Sequence, residues 1–282
     1  MIEMKTEAKP SRRVSRGVFW RGLISQIDYV LHPENYHARK LNTAAVNLPQ
    51  PAAAPVKDDF AQLSEIKMHY LVYGSGKPPL ILVHGNACDA TALEKAAAYL
   101  AHDYTVYVPE SCCHGKSSDS AKITYRLMAK DLKEFIEVMG LYHPIIIGHS
   151  DGAINAITLA AQYPSVPGAI IACGANSQPA QFKPYFTLFV KINGISKVKK
   201  LNKLMLTLPH FTEDYLARIT CPAYIVSGQF DIMWNADTVF IASHIPHSDM
   251  TILKAETHSS YIMDNGKKAY ILAKEWLQKV EL

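Results

Sequence analysis

Residues 146–153 read IIGHSDGA, with a serine between two glycines and an acid directly behind it. The stretch follows a short apolar run and opens a helix-like segment, so it predicts a sharp turn between a buried strand and a helix. A nucleophile on such a turn needs small residues two positions before and after it, because the backbone there is crowded. Gly148 and Gly152 meet this need for Ser150, whereas Asp151 as nucleophile would place a histidine there. The spacing therefore favours Ser150.

Strand-like and helix-like patterns alternate on both sides of this turn, from residue 65 onward. Continuous Val and Ile runs at 79–86 and 143–150 indicate buried strands, and 125–140 reads as an amphipathic helix that a glycine closes. This alternation predicts the α/β class, with a mostly parallel central sheet flanked by helices. Functional sites in such sheets lie at the carboxyl ends of the strands.

Two further polar residues follow the ends of later predicted strands. Asp231 stands just past the strand predicted at 222–228, and His258 just past the one at 250–255. A serine hydroxyl is a weak nucleophile unless a histidine takes its proton and an acid orients that histidine. The sequence therefore predicts that Ser150, His258 and Asp231 act together.

Acyl chemistry also requires N–H donors that bind a developing oxyanion. We expect one to be the backbone N–H of Asp151, at the start of its helix. The other is the N–H of Asn86, presented by a turn at His84 and Gly85. A carboxylate near an oxyanion is unfavourable, so we expect the Asp151 side chain to cap its own helix, where negative charge is favoured.

Four motifs in this order resemble the α/β-hydrolase superfamily over roughly residues 65–280. They are HGN at 84–86, GHSDG at 148–152, SGQFD at 227–231 and ETH at 256–258. Within that superfamily the chain looks like the single-domain serine esterases with a short lid. The resemblance implies an α/β-hydrolase fold and hydrolysis of a small-molecule carboxylic ester through an acyl-enzyme intermediate. One departure is Cys112, which stands where the family often has an arginine.

Other interpretations of the same residues remain open. The fold could hydrolyse an amide, a thioester or a C–C bond, or it could serve as a non-catalytic ligand-binding protein. Ser150 could be a simple helix N-cap, and Asp237 is a weaker choice for the acid. His244 and His247 lie close together, but no cysteine or acidic cluster completes a zinc site, so we expect neither a metal nor an organic cofactor.

The chain divides by composition into an extension and a main domain. Residues 42–57 are rich in Ala and Pro and predict an arm, so we assign 1–57 to an N-terminal helical extension and 58–282 to the hydrolase domain. The segment at about 176–211 interrupts the alternation and predicts a short lid. It carries lysines and no acid, which fits an amphipathic helical pair, an apolar acyl pocket with a basic rim, or both.

Charge and cysteine content limit the partners and the compartment. A net charge of +4 in 282 residues is too small to predict nucleic-acid binding. Five cysteines without a disulfide pattern predict a reducing, cytoplasmic setting. The expected partner is a small-molecule acyl substrate. An N-terminal helix should pack its Phe19, Leu23, Ile27 and Leu31 face on the domain or in a homo-oligomer, in preference to a membrane surface.

Overall fold

The computed structural model describes residues 12–43, 48–196 and 198–281, and it leaves out the side chains of residues 12–19 and 21. Its strands are β1 (Lys57–Gln62), β2 (Lys67–Tyr73), β3 (Pro79–Val83), β4 (Thr105–Pro109), β5 (Ile145–His149), β6 (Ala169–Cys173), β7 (Ala223–Phe230) and β8 (Ser248–Thr257). They form one eight-stranded sheet in the order β1-β2-β4-β3-β5-β6-β7-β8. β2 runs antiparallel to both of its neighbours, and every other pairing is parallel.

Helices cover both faces of this sheet. They are α1 (Arg12–Leu31), α2 (Glu94–Leu100), α3 (Tyr125–Val138), α4 (Asp151–Gln162), α5 (Pro184–Asn193), α6 (Lys199–Thr207), α7 (Glu213–Leu216), α8 (Asn235–Ser243) and α9 (Gly266–Lys279). The predicted fold class, a mostly parallel central sheet flanked by helices, is confirmed. In the described part of the chain, none of these helices combines the length and hydropathy needed to span a bilayer.

Two hydrophobic cores follow from the alternation of side chains along each strand. On β5, Ile146 packs into the core beneath α3, α4 and α8. Ile145 and Ile147, one residue to either side, pack into the core beneath α2 and α9. Because both faces are covered, the parallel strands carry apolar side chains at consecutive positions, which is the pattern that marked them in the sequence.

The N-terminal helix packs on α8, but not through the face that its sequence favoured. Ile27 and Leu31 are 54% and 66% exposed, so the prediction that this face packs on the domain is wrong, while packing in a homo-oligomer stays a prediction. The side chain of Phe19 lies outside the described residues. The contact is made by Gly22 and Tyr29 instead: a Cβ on Gly22 would lie 2.6 Å from the Trp234 ring, and Tyr29 is buried. A residue without a side chain lets the helix approach the indole closely, and this close approach selects the face.

The short segment between α1 and the predicted arm reaches the edge of the sheet at β8. The N–H of Arg39 donates to the Ile252 carbonyl (3.1 Å), and the N–H of Lys254 donates to the Arg39 carbonyl (2.8 Å). Arg39 also pairs with Glu275 of α9 at 2.5 Å. Arg39 therefore forms one isolated parallel bridge with Leu253 at the edge of the sheet.

Candidate active site

The turn between β5 and α4 holds Ser150 in a strained conformation. Its φ and ψ are 56° and −118°, which a non-glycine residue rarely adopts. A Cβ on Gly148 would lie 2.2 Å from the Gly152 carbonyl oxygen, and a Cβ on Gly152 would lie 2.1 Å from that of Val83. Both positions therefore require glycine, as the sequence spacing predicted. Strain of this kind is typical of functional turns.

Asp231 and His258 meet beyond the ends of β7 and β8. The Nδ1 of His258 donates to Asp231 Oδ1 at 2.7 Å. The backbone N–H groups of Ile232 and Gly228 also donate to this carboxylate, at 2.7 and 3.4 Å. Burial alone would raise the pKa of Asp231, but the charge of His258 and these hydrogen bonds outweigh burial and lower it. The carboxylate therefore stays ionised beside the imidazole.

The structure brings His258 next to the serine turn through His149. The two imidazole rings lie 4.8 Å apart, and His149 Nε2 donates to the His258 carbonyl at 3.0 Å. Burial, and secondly the charge of His258, lowers the pKa of His149 to about 3, so this ring stays neutral. Within the described residues no hydrogen bond joins the Ser150 hydroxyl to His258. Such contacts are often loose until a substrate binds.

The two predicted oxyanion donors flank Ser150. Asp151 is the first residue of α4, so its N–H is one of those that a helix cannot satisfy internally. Asn86 lies in the turn after β3, and this turn reaches the serine because Gly85 has no side chain. A Cβ on Gly85 would lie 3.0 Å from the Ser150 Cβ.

The carboxylate of Asp151 does not cap its own helix, so that prediction is wrong. It accepts hydrogen bonds from Tyr125 Oη and from Asn86 Nδ2, both at 2.8 Å. Burial raises the pKa of Asp151, and these two hydrogen bonds offset only part of that effect. The carboxyl group thus connects the turn that contains Asn86 to α3. Nothing local in the sequence reveals this, because Tyr125 and Asn86 are distant along the chain.

Two helices, α5 and α6, lie over the site in the segment predicted as a lid. Asn86 Nδ2 also donates to the Leu201 carbonyl of α6 at 3.1 Å. Lys200 of α6 pairs with Asp119. Lys183, just before α5, donates to the Asp231 carbonyl at 2.7 Å, and burial lowers the pKa of its ammonium group. The segment predicted as a lid is therefore hydrogen-bonded both to Asn86, in the turn after β3, and to the loop that carries Asp231.

The alternative acid, Asp237, is bonded elsewhere. It is fully buried in α8 and accepts hydrogen bonds from the N–H (2.7 Å) and the hydroxyl (2.5 Å) of Ser177. Burial raises its pKa to about 7. Its two oxygens thus bind Ser177, in the loop that follows β6. Of the two acids, it is Asp231 that contacts His258.

His84, Cys112 and His244, which the sequence also singled out, occupy structural positions. His84 donates from Nδ1 to the Gly85 carbonyl (2.8 Å) and accepts from the Ser111 N–H at Nε2 (3.0 Å). These two hydrogen bonds stabilise the turn that contains Asn86. Cys112 is buried in the core, and burial raises its pKa. His244 follows the last residue of α8. No group of three or more metal-ligating side chains occurs in the described ranges.

Comparisons with known proteins agree with this architecture. A family model described as "alpha/beta hydrolase fold" matches residues 78–193. The 2-hydroxy-6-oxononadienedioate/2-hydroxy-6-oxononatrienedioate hydrolase of Paraburkholderia phymatum is 28% identical over 159 residues, which are 54% of this chain and 55% of that protein. The match spans about half the length of that curated relative.

Solved structures extend the likeness across the fold. A thermophilic esterase from Thermogutta terrifontis superposes with a TM-score of 0.64 at 20% identity, covering 80% of this chain and all of that one (100%). A membrane phospholipase A, described as a bacterial virulence factor, has a TM-score of 0.65 at 16% identity and covers 96% of this chain and 99% of its own. The chain has the α/β-hydrolase fold, and the resemblance to that superfamily predicted from its sequence is confirmed.

Proposed function

We propose that this protein is a serine hydrolase that cleaves a small-molecule carboxylic ester through an acyl-enzyme intermediate. The observation that carries the proposal is the hydrogen bond between the buried Asp231 and the partly buried His258, beside the strained turn of Ser150. Nucleophile, orienting acid and base follow one another along the chain as Ser150, Asp231 and His258, which is the order found in α/β-hydrolases. The names of the compared esterase and phospholipase A also favour an ester.

In this mechanism the hydroxyl of Ser150 attacks the carbonyl carbon of the ester, and His258 Nε2 takes its proton. The N–H groups of Asn86 and Asp151 bind the oxyanion of the tetrahedral intermediate. When the intermediate collapses, the alcohol leaves with the proton from His258. Water, deprotonated by the same nitrogen, then releases the carboxylic acid and regenerates the serine. Asp231 stabilises the imidazolium in both steps.

The test is Ser150→Ala, assayed on p-nitrophenyl acetate. We expect at least a 10³-fold loss of kcat, because only oxyanion binding and positioning would remain. A fluorophosphonate probe should label the wild type and leave the variant unlabelled. An unlabelled wild type would favour a non-catalytic ligand-binding protein, and wild-type turnover in the variant would contradict the mechanism.

A further inference from the structure

Two helices beside the site expose rows of large apolar side chains. On α1 the row is Trp20, Ile24, Ile27 and Leu31, and on α5 it is Tyr185, Leu188, Phe189 and Ile192. The spacings of three and four residues place each row on one helical face. Most of the large apolar side chains that the described residues leave exposed belong to these two helices. Monomeric proteins rarely expose extended apolar surface without a function for it.

The two rows belong to neighbouring helices. The indole of Trp234 lies under α1 at Gly22, where an added Cβ would be 2.6 Å away. The same indole lines a groove of about 250 Å³ with Pro184, Leu188 and Lys191 of α5. α1 also packs against the turn Pro179–Gln181, which leads into α5. We call these two rows together the apolar surface.

Exposed lysines lie on α5 itself and on α6, the next helix along the chain. Lys191 on α5 and Lys199 and Lys203 on α6 are exposed, and none of them makes an ion pair with a described residue. The sequence has no Asp or Glu between residues 176 and 211 that could neutralise them. Apolar side chains bordered by lysines match the chemistry of an anionic lipid surface.

A second copy of the chain fits the surface less well. Two such faces packed together would bring their lysines into proximity, and like charges disfavour that contact. An anionic bilayer both covers the apolar rows and neutralises the lysines. The face of α1 that packs on Trp234 is a different one, so domain packing and membrane contact do not compete for the same residues.

We propose that the apolar surface docks onto an anionic phospholipid bilayer. Lys183, at the start of α5, is hydrogen-bonded to the Asp231 carbonyl, so docking would bring the bilayer near the entrance of the site. The inference concerns binding, and it stands whether or not Ser150 hydrolyses an ester.

The test is flotation of the full chain with phosphatidylcholine vesicles that contain or lack phosphatidylglycerol. We expect binding only with phosphatidylglycerol, and weaker binding as salt is added. The double variant Ile24→Glu/Ile192→Glu, which places charge in both rows, should bind about tenfold or more weakly. Lys191→Glu/Lys199→Glu/Lys203→Glu should bind about 10²-fold or more weakly, because each of the three lysines contributes about 1 kcal/mol near an anionic surface.

The matched control is Val138→Glu, which adds a charge at an exposed apolar position of α3. α3 contacts β1, at the other edge of the sheet, so vesicle binding should match the wild type. Hydrolysis of p-nitrophenyl acetate, a soluble ester, should be unchanged in all variants, which separates docking from catalysis. Failure of the wild type to float, or equal flotation of the Ile24→Glu/Ile192→Glu variant, would overturn the proposal. The proposal would also be overturned if the wild type formed a dimer that this variant dissociates and did not bind vesicles.

Discussion

The hydrogen bond between Asp231 and His258 determines which imidazole nitrogen can act as a base. Asp231 accepts from Nδ1, so in the neutral imidazole it is Nε2 that carries no proton and can accept one from a serine. Asn at position 231 would present an amide N–H to the ring or to the backbone donors of Ile232 and Gly228, and either choice disturbs this tautomer. We expect Asp231→Asn to lower kcat by roughly 10³–10⁴-fold with little change in KM.

Asp237→Asn is the matched control for that measurement. The carboxyl of Asp237 bonds to Ser177 and makes no contact with His258, so its replacement should leave kcat within a few-fold of the wild type. Steady-state rates on the same ester decide between the two acids. If Asp237→Asn lost the activity and Asp231→Asn kept it, the assignment of the acid would be wrong.

At the scale of single elements, the Asn86 side chain connects α6, in the segment predicted as a lid, to the start of α4. One N–H of its amide reaches Asp151 and the other reaches the Leu201 carbonyl of α6. Asn86→Ala removes both contacts and leaves a buried carboxylate oxygen unsatisfied, which costs about 1–3 kcal/mol of unfolding free energy. We also expect faster amide hydrogen exchange in Lys199–Thr207, because α6 loses its contact with the turn.

Tyr125→Phe separates the two effects of that substitution. It removes the other hydrogen bond of Asp151 but leaves the Leu201 contact intact. The variant should lose comparable stability while exchange in α6 stays at the wild-type level. Equal exchange in α6 for Asn86→Ala and the wild type would show that the amide does not restrain the lid.

The sequence predicts elements well where burial dictates the residue pattern. The parallel strands were recognisable because both of their faces are covered, and the serine turn because two glycines are sterically required. β1 was not predicted, since five of its six residues are exposed and follow no apolar alternation. The contacts of Asp151 and the face of α1 that packs on the domain were predicted wrongly. Both depend on partners, Tyr125 and Trp234, that only the tertiary fold brings near.

At the scale of the whole molecule, buried histidines should make the fold sensitive to acid. Burial, and secondly the charge of His84, lowers the pKa of His114 to about 4, and that of His149 is about 3. Both values lie below that of an unfolded histidine, about 6.5. Between about pH 6.5 and 4 the unfolded chain therefore binds protons that the folded protein does not, and the free energy of unfolding falls as pH falls.

Urea unfolding of His114→Gln between about pH 4.5 and pH 7 tests this expectation. This range roughly covers the interval between the pKa of the folded and of the unfolded histidine. Removing one such histidine should reduce the slope of unfolding free energy against pH by up to about 1.4 kcal/mol per pH unit. Asp237, whose pKa is raised, changes this slope in the opposite direction, but it is present in both the wild type and the variant. His32→Gln, at an exposed site, should leave the slope as it is. A slope unaltered by His114→Gln would contradict the assignment.

The bridge that Arg39 forms beside β8 has a consequence for how molecules of this protein behave toward each other. An open sheet ends in two rows of unpaired amides and carbonyls, and such rows recruit strands from neighbouring chains into aggregates. At one end Arg39 occupies part of the row. At the other end β1 begins with the exposed charged side chains of Lys57, Asp58 and Asp59, which an incoming strand would have to desolvate. Pairing between molecules is thus disfavoured by backbone pairing at one margin and by the cost of covering charged side chains at the other.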